Sequence, residues 1–226
     1  MIKLENVTKI YRNKVKVLKG VSLEVKPGEF VSIVGQSGAG KTTIVRLLIG
    51  EERVDEGKVI IGDWDITKIT RREVPYLRRQ IGVIFQDFKL LPKKTLEENV
   101  SFALQVSGGA PAKIKKIVPS VLKIVGLEAE KNRYPNEVSG GEQQRAAIAR
   151  ALVHQPKILL ADEPTGNLDA INANDIINLL LRINKFGTTV ILVTHNKEIV
   201  NRLDKRVVTM DHGQIISDQE HGKYLL

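Results

Sequence analysis

One segment in the first fifth of the chain combines the residue types and the spacing that triphosphate binding requires. Gly35 and Gly40 have four residues between them and are followed directly by Lys41 and Thr42, which is the phosphate-loop pattern. Glycines let successive backbone N–H groups curl around phosphate oxygens where a side chain would clash. The lysine can then reach the β- and γ-phosphates, and the threonine hydroxyl can ligate Mg²⁺. The candidate nucleotide-binding residues of this loop are Gly35, Ser37, Gly38, Ala39, Gly40, Lys41, Thr42 and Thr43.

The residues that flank this loop predict the elements that it needs. The apolar run 30–34 predicts a buried strand, and the pattern from Thr42 to about Ile49, followed by Gly50, predicts a helix. The positive end of that helix would face the bound anion. A chance glycine turn before a helix is the alternative, and the strand–loop–helix context disfavours it. The segment therefore predicts a nucleoside triphosphate site.

Two adjacent carboxylates follow a second apolar run. Residues 158–161 predict a buried strand that delivers Asp162 and Glu163 at its carboxyl end, the edge where open α/β sheets bind ligands. We expect Asp162 to hold Mg²⁺ through water and Glu163 to orient and deprotonate the attacking water. A strand that ends in Asp-Glu is by itself more often an ion pair or a cap. Together with a phosphate loop, the pair indicates nucleotide hydrolysis.

Gln86 and His195 follow two further apolar runs, 83–85 and 190–193. Either residue alone at a strand end would usually be structural. Parallel strands end at one edge of a sheet, so all four polar groups should converge there. The candidate catalytic residues are Lys41, Gln86, Glu163 and His195, and the candidate metal ligands are Thr42, Gln86 and Asp162.

Two kinds of hydrophobic pattern predict the fold class. Residues 21–25 alternate between apolar and polar, and with 59–61 they predict an antiparallel β portion. The four uninterrupted apolar runs predict buried parallel strands flanked by helices. The prediction is α/β with an added β layer. Residues 95–126 are helical in pattern with a break at 107–111, and Pro119 should kink or break the second helix near Val118.

Composition excludes several classes of protein. The 226 residues are 42% hydrophobic and 27% charged, which is typical of a globular chain. The sequence has no cysteine, so disulfides, thiolate-bound metals and cysteine nucleophiles are excluded. No apolar run approaches the roughly 18 residues of a membrane span, and the first residues do not form a secretory signal. We expect a soluble, cytosolic chain.

The net charge of +9 is concentrated in one segment. Between residues 66 and 123, twelve basic residues face four acidic ones, a net charge of +8. We call this the basic segment. It suits nucleic acid, an anionic membrane surface or an acidic partner, and a well-solvated surface is the simplest alternative.

Residues 138–145, Val-Ser-Gly-Gly-Glu-Gln-Gln-Arg, resemble the signature sequence of ATP-binding-cassette (ABC) ATPases. The other motifs follow in the order of that family, so the resemblance covers essentially the whole chain. They are the phosphate loop, Gln86, the signature, Asp162-Glu163-Pro164, Asn167-Leu168-Asp169 and His195. The departures are Val138, Glu142 and the pair Gly166-Asn167, where serine-alanine is frequent. None of them removes a phosphate-contacting group.

The resemblance implies a single ABC nucleotide-binding domain over residues 1–226. Its central sheet would be mostly parallel and flanked by helices, with an antiparallel β subdomain and a helical subdomain inserted at about 87–155. ATP and Mg²⁺ are the implied ligands.

The signature residues open another helix and so offer a second anion-binding helix end. One triphosphate cannot easily use both helix ends of a single subunit. In the family, two subunits face head to tail, and each signature (Ser139, Gly140 and Gly141) closes on the γ-phosphate held by the other subunit. The resemblance further implies that Tyr11 stacks on adenine, His195 holds the γ-phosphate, Gln86 links γ-phosphate and metal to the helical arm, and Asp169 contacts the opposing subunit.

Residues 72–87 closely resemble the bacterial cell-division branch of the family. That resemblance implies a peripheral ATPase subunit on the cytoplasmic side of the membrane. It would pair with a polytopic membrane protein and control cell-wall hydrolysis at the division site.

Lipoprotein-release and macrolide exporters share residues 161–169 and are the nearest alternative. An ABC ATPase acting on nucleic acid usually carries a long coiled coil or two cassettes, and an adaptor that binds ATP without turnover would not need Glu163.

Overall fold

Two sheets organise the residues that this computed structural model describes, 2–11 and 14–224. The strands are β1 (Ile2–Ile10), β2 (Lys16–Val25), β3 (Phe30–Val34), β4 (Glu56–Ile61), β5 (Trp64–Asp65), β6 (Ile81–Ile84), β7 (Ile158–Asp162), β8 (Thr189–Val193), β9 (Arg206–Asp211) and β10 (Gln214–Gln219). The helices are α1 (Lys41–Leu48), α2 (Val74–Gln80), α3 (Leu96–Val106), α4 (Pro111–Ile124), α5 (Gly140–Leu152), α6 (Ala170–Lys185) and α7 (Lys197–Leu203), with a short 3₁₀ helix at Pro135–Glu137.

The smaller sheet is antiparallel, as the alternating pattern predicts. Its strand order is β2-β1-β4-β5, and Ile2 of β1 lies opposite Val25 on one side and Ile61 on the other. Val21, Leu23 and Val25 are buried, whereas the residues between them are exposed. One face of this sheet therefore closes over the core that contains α1.

The larger sheet has the order β10-β9-β3-β8-β7-β6. Its neighbours from β9 to β6 are parallel, and β10 is an antiparallel edge strand. Every residue of β3 and β8 is buried, which explains why both strands are apolar apart from Ser32 and Thr189. The predicted fold class, α/β with a parallel sheet and an antiparallel β portion, is confirmed.

The register of this sheet brings the predicted chemistry to one edge. Ile84, one residue before the end of its apolar run, pairs with Ala161, and Asp162 pairs with Val193. Ile33, one residue before the end of β3, also pairs with Val193. The carboxyl ends of β3, β8, β7 and β6 thus stand side by side.

Helices α3, α4 and α5 share a core with the parallel sheet. Thr95 caps α3 reciprocally with Glu98, a capping box that fixes the start of this helix. Of the two predicted effects of Pro119, a kink or a break, the break is wrong, because α4 runs through Pro119 from Pro111 to Ile124. Val118, Val121 and Leu122 are buried, and this packing holds a helix whose proline lies on the exposed face.

The predicted division of residues 1–226 into one ATPase core with a helical subdomain at about 87–155 stays a prediction. Within residues 2–11 and 14–224, no helix combines the length and the apolar character needed to cross a bilayer.

Candidate nucleotide site

The phosphate loop connects the end of β3 to the start of α1, and its glycines are required by geometry. Gly35 has φ 149° and Gly40 has φ 100°, conformations that L side chains rarely adopt. A Cβ on Gly35 would overlap the carbonyl oxygen of Met210, and one on Gly40 would approach Leu18 Cδ2 to 2.7 Å. The loop can therefore take this path, with α1 beginning at its end, only with glycine at both positions.

Lys41 is held inside the loop that it follows. Its side chain is buried, and Nζ donates to the carbonyl oxygens of Gly35 at 2.7 Å and Gln36 at 2.9 Å. Burial lowers the pKa of the Lys41 ammonium, and the nearby carboxylates Glu163 and Asp162 act in the opposite direction. The loop thus fixes a cation beside the site where phosphate would enter.

Asp162 at the end of β7 offers a carboxylate oxygen that lacks a protein partner. The Thr42 hydroxyl lies close enough to lower the pKa of the Asp162 carboxyl, but Oδ1 is buried and has no hydrogen-bond partner among the described residues. Burial raises the pKa of Asp162, Glu163 raises it further, and Thr42 and the charge of Lys41 lower it. A buried, unpaired oxygen beside a hydroxyl fits a divalent cation.

The residues present fit Mg²⁺ rather than a metal held by protein alone. Among the described residues, no group of three or more His, Cys, Asp and Glu side chains could enclose a metal. Mg²⁺ at phosphate sites is usually held by one or two carboxylates, a hydroxyl, water and the phosphates themselves. Thr42 and Asp162 supply that protein share.

Glu163 turns its carboxylate toward the next strand of the sheet. Its backbone has φ 50°, an uncommon value for a residue other than glycine, and its N–H donates to the Val193 carbonyl oxygen at 2.9 Å. Oε1 lies 2.8 Å from Nδ1 of His195. The two predicted catalytic residues are therefore in direct contact across β7 and β8.

Gln86 is paired with a residue that the sequence analysis did not single out for chemistry. Asn167 Nδ2 donates to the backbone oxygen of Gln86 at 3.1 Å, and Gln86 Nε2 lies 3.4 Å from Asn167 Oδ1. A Cβ on Gly166 would come within 2.8 Å of Gln86 Nε2. Gly166 and Asn167, which depart from the family pattern, thus act on Gln86 in two ways. Gly166 leaves space for its side chain, and Asn167 bonds to it.

A cavity of about 800 Å³ joins these groups. Its lining residues are Tyr11, Val17, Gln36, Ser37, Gly38, Gly40, Lys41, Thr42, Thr43, Arg46, Gln86, Glu163, His195 and Tyr224. A smaller adjoining cavity of about 240 Å³ adds Asp162 and shares Thr42, Gln86 and Glu163 with the first. The structure thus brings together nearly all the predicted loop, catalytic and metal residues, with Tyr11 on the same wall.

The signature residues lie outside the cavity that the phosphate loop lines. Ser139 caps α5 and bonds reciprocally with Glu142, and Asp169 caps α6. A Cβ on Gly140 would lie within 4 Å of Leu168, and one on Gly141 would overlap Asn172. Neither Asp169 nor any signature residue lines the described walls of the 800 Å³ cavity. The phosphate-loop cavity and the signature helix end are therefore two separate surfaces of one chain.

Five residues of the site were missed from the sequence, among them Val17 and Gln36 of the cavity wall. Arg46 lies one helical turn beyond Thr42, so the periodicity of α1 could have placed it at the cavity. Asn167 was noted only as a departure from a motif. Tyr224 belongs to no pattern, and only the tertiary fold brings it to the cavity wall.

A phosphate loop, paired carboxylates and a histidine at one edge of a parallel sheet, with a glycine-rich helix end elsewhere, define an ATPase of the ATP-binding-cassette class. A family model described as "ABC transporter" matches residues 18–166, and the chain belongs to this family. The predictions of the family and of ATP hydrolysis are confirmed.

Over nearly its whole length the chain is similar to cell division ATP-binding proteins FtsE. It is 50% identical over 224 residues to FtsE of Streptococcus pneumoniae, with 99% of this chain and 97% of that protein covered. Identity is 49% to FtsE of Bacillus subtilis, covering 99% and 98%, and 43% to FtsE of Escherichia coli, covering 95% and 97%.

Solved structures of two ABC cassettes share the fold. The cassette MJ0796, in a post-hydrolysis dimer bound to ADP and Pi, superposes with a TM-score of 0.88 at 37% identity and covers 99% of this chain and 100% of its own. The cassette cbiO1 from Clostridium perfringens, part of the ABC transporter complex cbiONQ, gives a TM-score of 0.89 at 32% identity, covering 97% and 88%.

Proposed function

We propose that this ATPase closes as a head-to-tail homodimer on two Mg-ATP molecules and drives an FtsX-like membrane protein in cell division. The observation that carries the dimer is the separation of the two surfaces described above. The phosphate loop and the Glu163–His195 pair line the cavity, whereas Ser139, Gly140 and Gly141 are not among its described lining residues. A second copy would supply the missing helix end, which is favourable for a γ-phosphate.

In this proposal the predicted residues at the cavity take the following roles. Lys41 exchanges the carbonyl oxygens that it holds now for the β- and γ-phosphates, and the backbone N–H groups of the loop bind the remaining oxygens. Glu163, which lines the larger cavity beside His195, accepts a proton from the attacking water. His195 contacts the γ-phosphate, and Tyr11 packs on the base.

Thr42, Asp162 and Gln86 would hold Mg²⁺, whose positive charge would offset the negative charge that develops on the phosphates. Asp162 must be ionised to hold it. Burial and Glu163 raise the pKa of Asp162 and so favour its protonated form. A bound cation would favour the ionised form instead.

The relatives at 43–50% identity support the cell-division role. A peripheral ATPase on the cytoplasmic side of the membrane needs a membrane-embedded partner, and closure of the dimer would change the conformation of that partner. The conformational change would activate cell-wall hydrolases at the division site, without transport of a solute.

The partner's cytoplasmic helices would meet the basic segment. A groove of about 310 Å³ lies there between β6 and helices α3 and α5, with Arg78, Arg150 and His154 in its wall. On α4, lysines 113, 115, 116 and 123 are all exposed. Such a surface suits acidic residues of the partner together with anionic lipid headgroups.

Recovery of the membrane partner tests this proposal. We expect an FtsX-like protein to co-purify with the tagged chain from native membranes, and charge reversal at Arg78, Arg79, Lys93 and Lys94 to abolish the interaction. Recovery of a substrate-binding exporter instead would favour the lipoprotein-release alternative. Salt-sensitive binding of nucleic acid at physiological ionic strength would favour the nucleic-acid alternative.

The matched control is charge reversal at Lys157 and Lys185. Both are exposed and lie outside the basic segment. Unchanged partner recovery by the basic-segment variant, or equal loss in the control, would contradict the proposed contact.

A further inference from the structure

Tyr224, the last described residue, is built into the wall of the nucleotide cavity. Its ring packs with Val34, Val200 and Val207 in a small apolar cluster, and only 7% of the residue is exposed. Its backbone N–H donates to Asn201 Oδ1 at 2.7 Å. The ring is thus fixed between the end of β3, helix α7 and β9.

The hydroxyl of this tyrosine reaches the first residue of the phosphate loop. The backbone of Gly35 lowers the pKa of the hydroxyl, so the two groups lie close together, and the carbonyl oxygen of Gly35 accepts from Lys41 Nζ at 2.7 Å. Lys41 thus bonds to Gly35, and Tyr224 packs on Val34, the residue before it. Burial and the charge of Glu163 raise the pKa of the Tyr224 hydroxyl and the Gly35 backbone opposes them, so the hydroxyl stays neutral.

The same ring also touches the segment that follows His195. Lys197, the first residue of α7, places Nζ 5.3 Å from the centroid of the Tyr224 ring, within cation–π range. His195 stands two residues before this helix and lines the same cavity as Tyr224. One side chain thus contacts both the end of β3, where the phosphate loop begins, and helix α7, which follows the histidine.

We infer that Tyr224 is a positioning residue of the ATP site: it holds the Gly35 end of the phosphate loop and the start of α7 in a fixed relation. The inference rests on the phosphate loop being the ATP site, as proposed above. Nucleotide binding would in turn fix Tyr224, because the loop closes around phosphate only when Gly35 keeps its place.

The test compares Tyr224→Phe and Tyr224→Ala with the wild type in binding of Mg-AMPPNP and in steady-state ATP hydrolysis. Loss of the hydroxyl should weaken nucleotide binding about twofold for Tyr224→Phe, and Tyr224→Ala should weaken it more because it also removes the ring that packs on Val34 and Val200. KM for ATP should rise in both, with a smaller change in kcat. The control pair is Tyr76→Phe and Tyr76→Ala, since Tyr76 is 60% exposed on α2 and should bind nucleotide normally.

Thermal unfolding separates positioning from a purely structural role. For Tyr224→Phe we expect a nearly unchanged midpoint without nucleotide and a smaller increase on adding Mg-AMPPNP. Normal nucleotide affinity in both Tyr224 variants, or a lower midpoint with an unchanged nucleotide-induced increase, would overturn the inference. Lys41→Ala is measured alongside: if it bound nucleotide like the wild type, the ATP site itself would be wrongly placed, which is a different failure.

Discussion

Oε1 of Glu163 lies 2.8 Å from Nδ1 of His195, so the base proposed for hydrolysis and the side chain proposed to hold the γ-phosphate are bonded to each other. With Nδ1 engaged by the carboxylate, Nε2 is the nitrogen left for a phosphate oxygen. Glu163 is mostly buried at its side chain, whereas that of His195 is 67% exposed. Incoming ATP can therefore rearrange the histidine while the carboxylate stays in place.

Glu163→Gln should separate hydrolysis from binding. The amide keeps the shape of the side chain but cannot accept the proton of water, and removal of a general base typically lowers turnover by about 10²–10⁴-fold. We expect Mg-ATP binding to persist in equilibrium titrations while phosphate release becomes very slow. Asp175→Asn removes the same charge from an exposed position on α6 and should hydrolyse ATP normally. Rapid hydrolysis by Glu163→Gln would refute the assignment of the base.

Asn167→Ala tests the pairing with Gln86. Alanine is frequent at this position in the family, but here it would remove both contacts made by the Asn167 side chain. Holding the freed Gln86 side chain for reaction would then cost about 0.5–1.5 kcal/mol, so we expect kcat to fall roughly two- to tenfold with little change in KM. Asn174→Ala on α6 is the matched control. An unchanged kcat in Asn167→Ala would show that the pairing does not serve turnover.

Pro119→Ala should stabilise the protein. Pro119 lies on the exposed face inside α4 and lacks the N–H that an interior helical residue donates. Alanine restores that donor, and we expect the free energy of unfolding to rise by about 1–2 kcal/mol. Pro111→Ala provides the contrast, because Pro111 is the first residue of the same helix, where proline is favourable. A loss of stability in Pro119→Ala, measured by denaturant titration, would contradict this explanation.

His154 should make the stability of the fold depend on pH. Burial lowers the pKa of His154 below its ordinary value, Arg79 and Lys113 lower it further, and the Ala103 backbone opposes them. The unfolded chain therefore binds a proton at higher pH than the folded one, so the free energy of unfolding should fall as pH drops below about 6.5. The advantage of the wild type over His154→Gln should shrink from pH 7.5 to 5.5. Parallel stability curves for the two proteins would contradict the stated origin of the shift.

The sequence was sufficient to predict the strands and the site where the local hydrophobic pattern agrees with the burial in the fold. The short apolar runs correspond to β3, β6, β7 and β8, because a strand that is buried on both faces carries mostly apolar side chains. Polar residues after those runs meet at one edge because the strands are parallel and adjacent.

The remaining features depend on contacts between distant parts of the chain. Pro119 could not be placed correctly from propensity, because the packing of Val118, Val121 and Leu122 overrides it. Tyr224 reaches Gly35 only through the docking of its segment on α7 and β9, and nothing in its neighbours along the sequence indicates this. The partner of Gln86 likewise depends on how the loop after β7 passes the end of β6.

Sedimentation or light scattering of Glu163→Gln with saturating Mg-ATP tests the central claim most directly. The account predicts a species of about twice the 25.2 kDa of one chain, which requires ATP and is lost when Ser139 and Gly140 are altered. A mass that stays at one chain, both for the isolated variant and for its cassettes bound to the membrane partner, would contradict it.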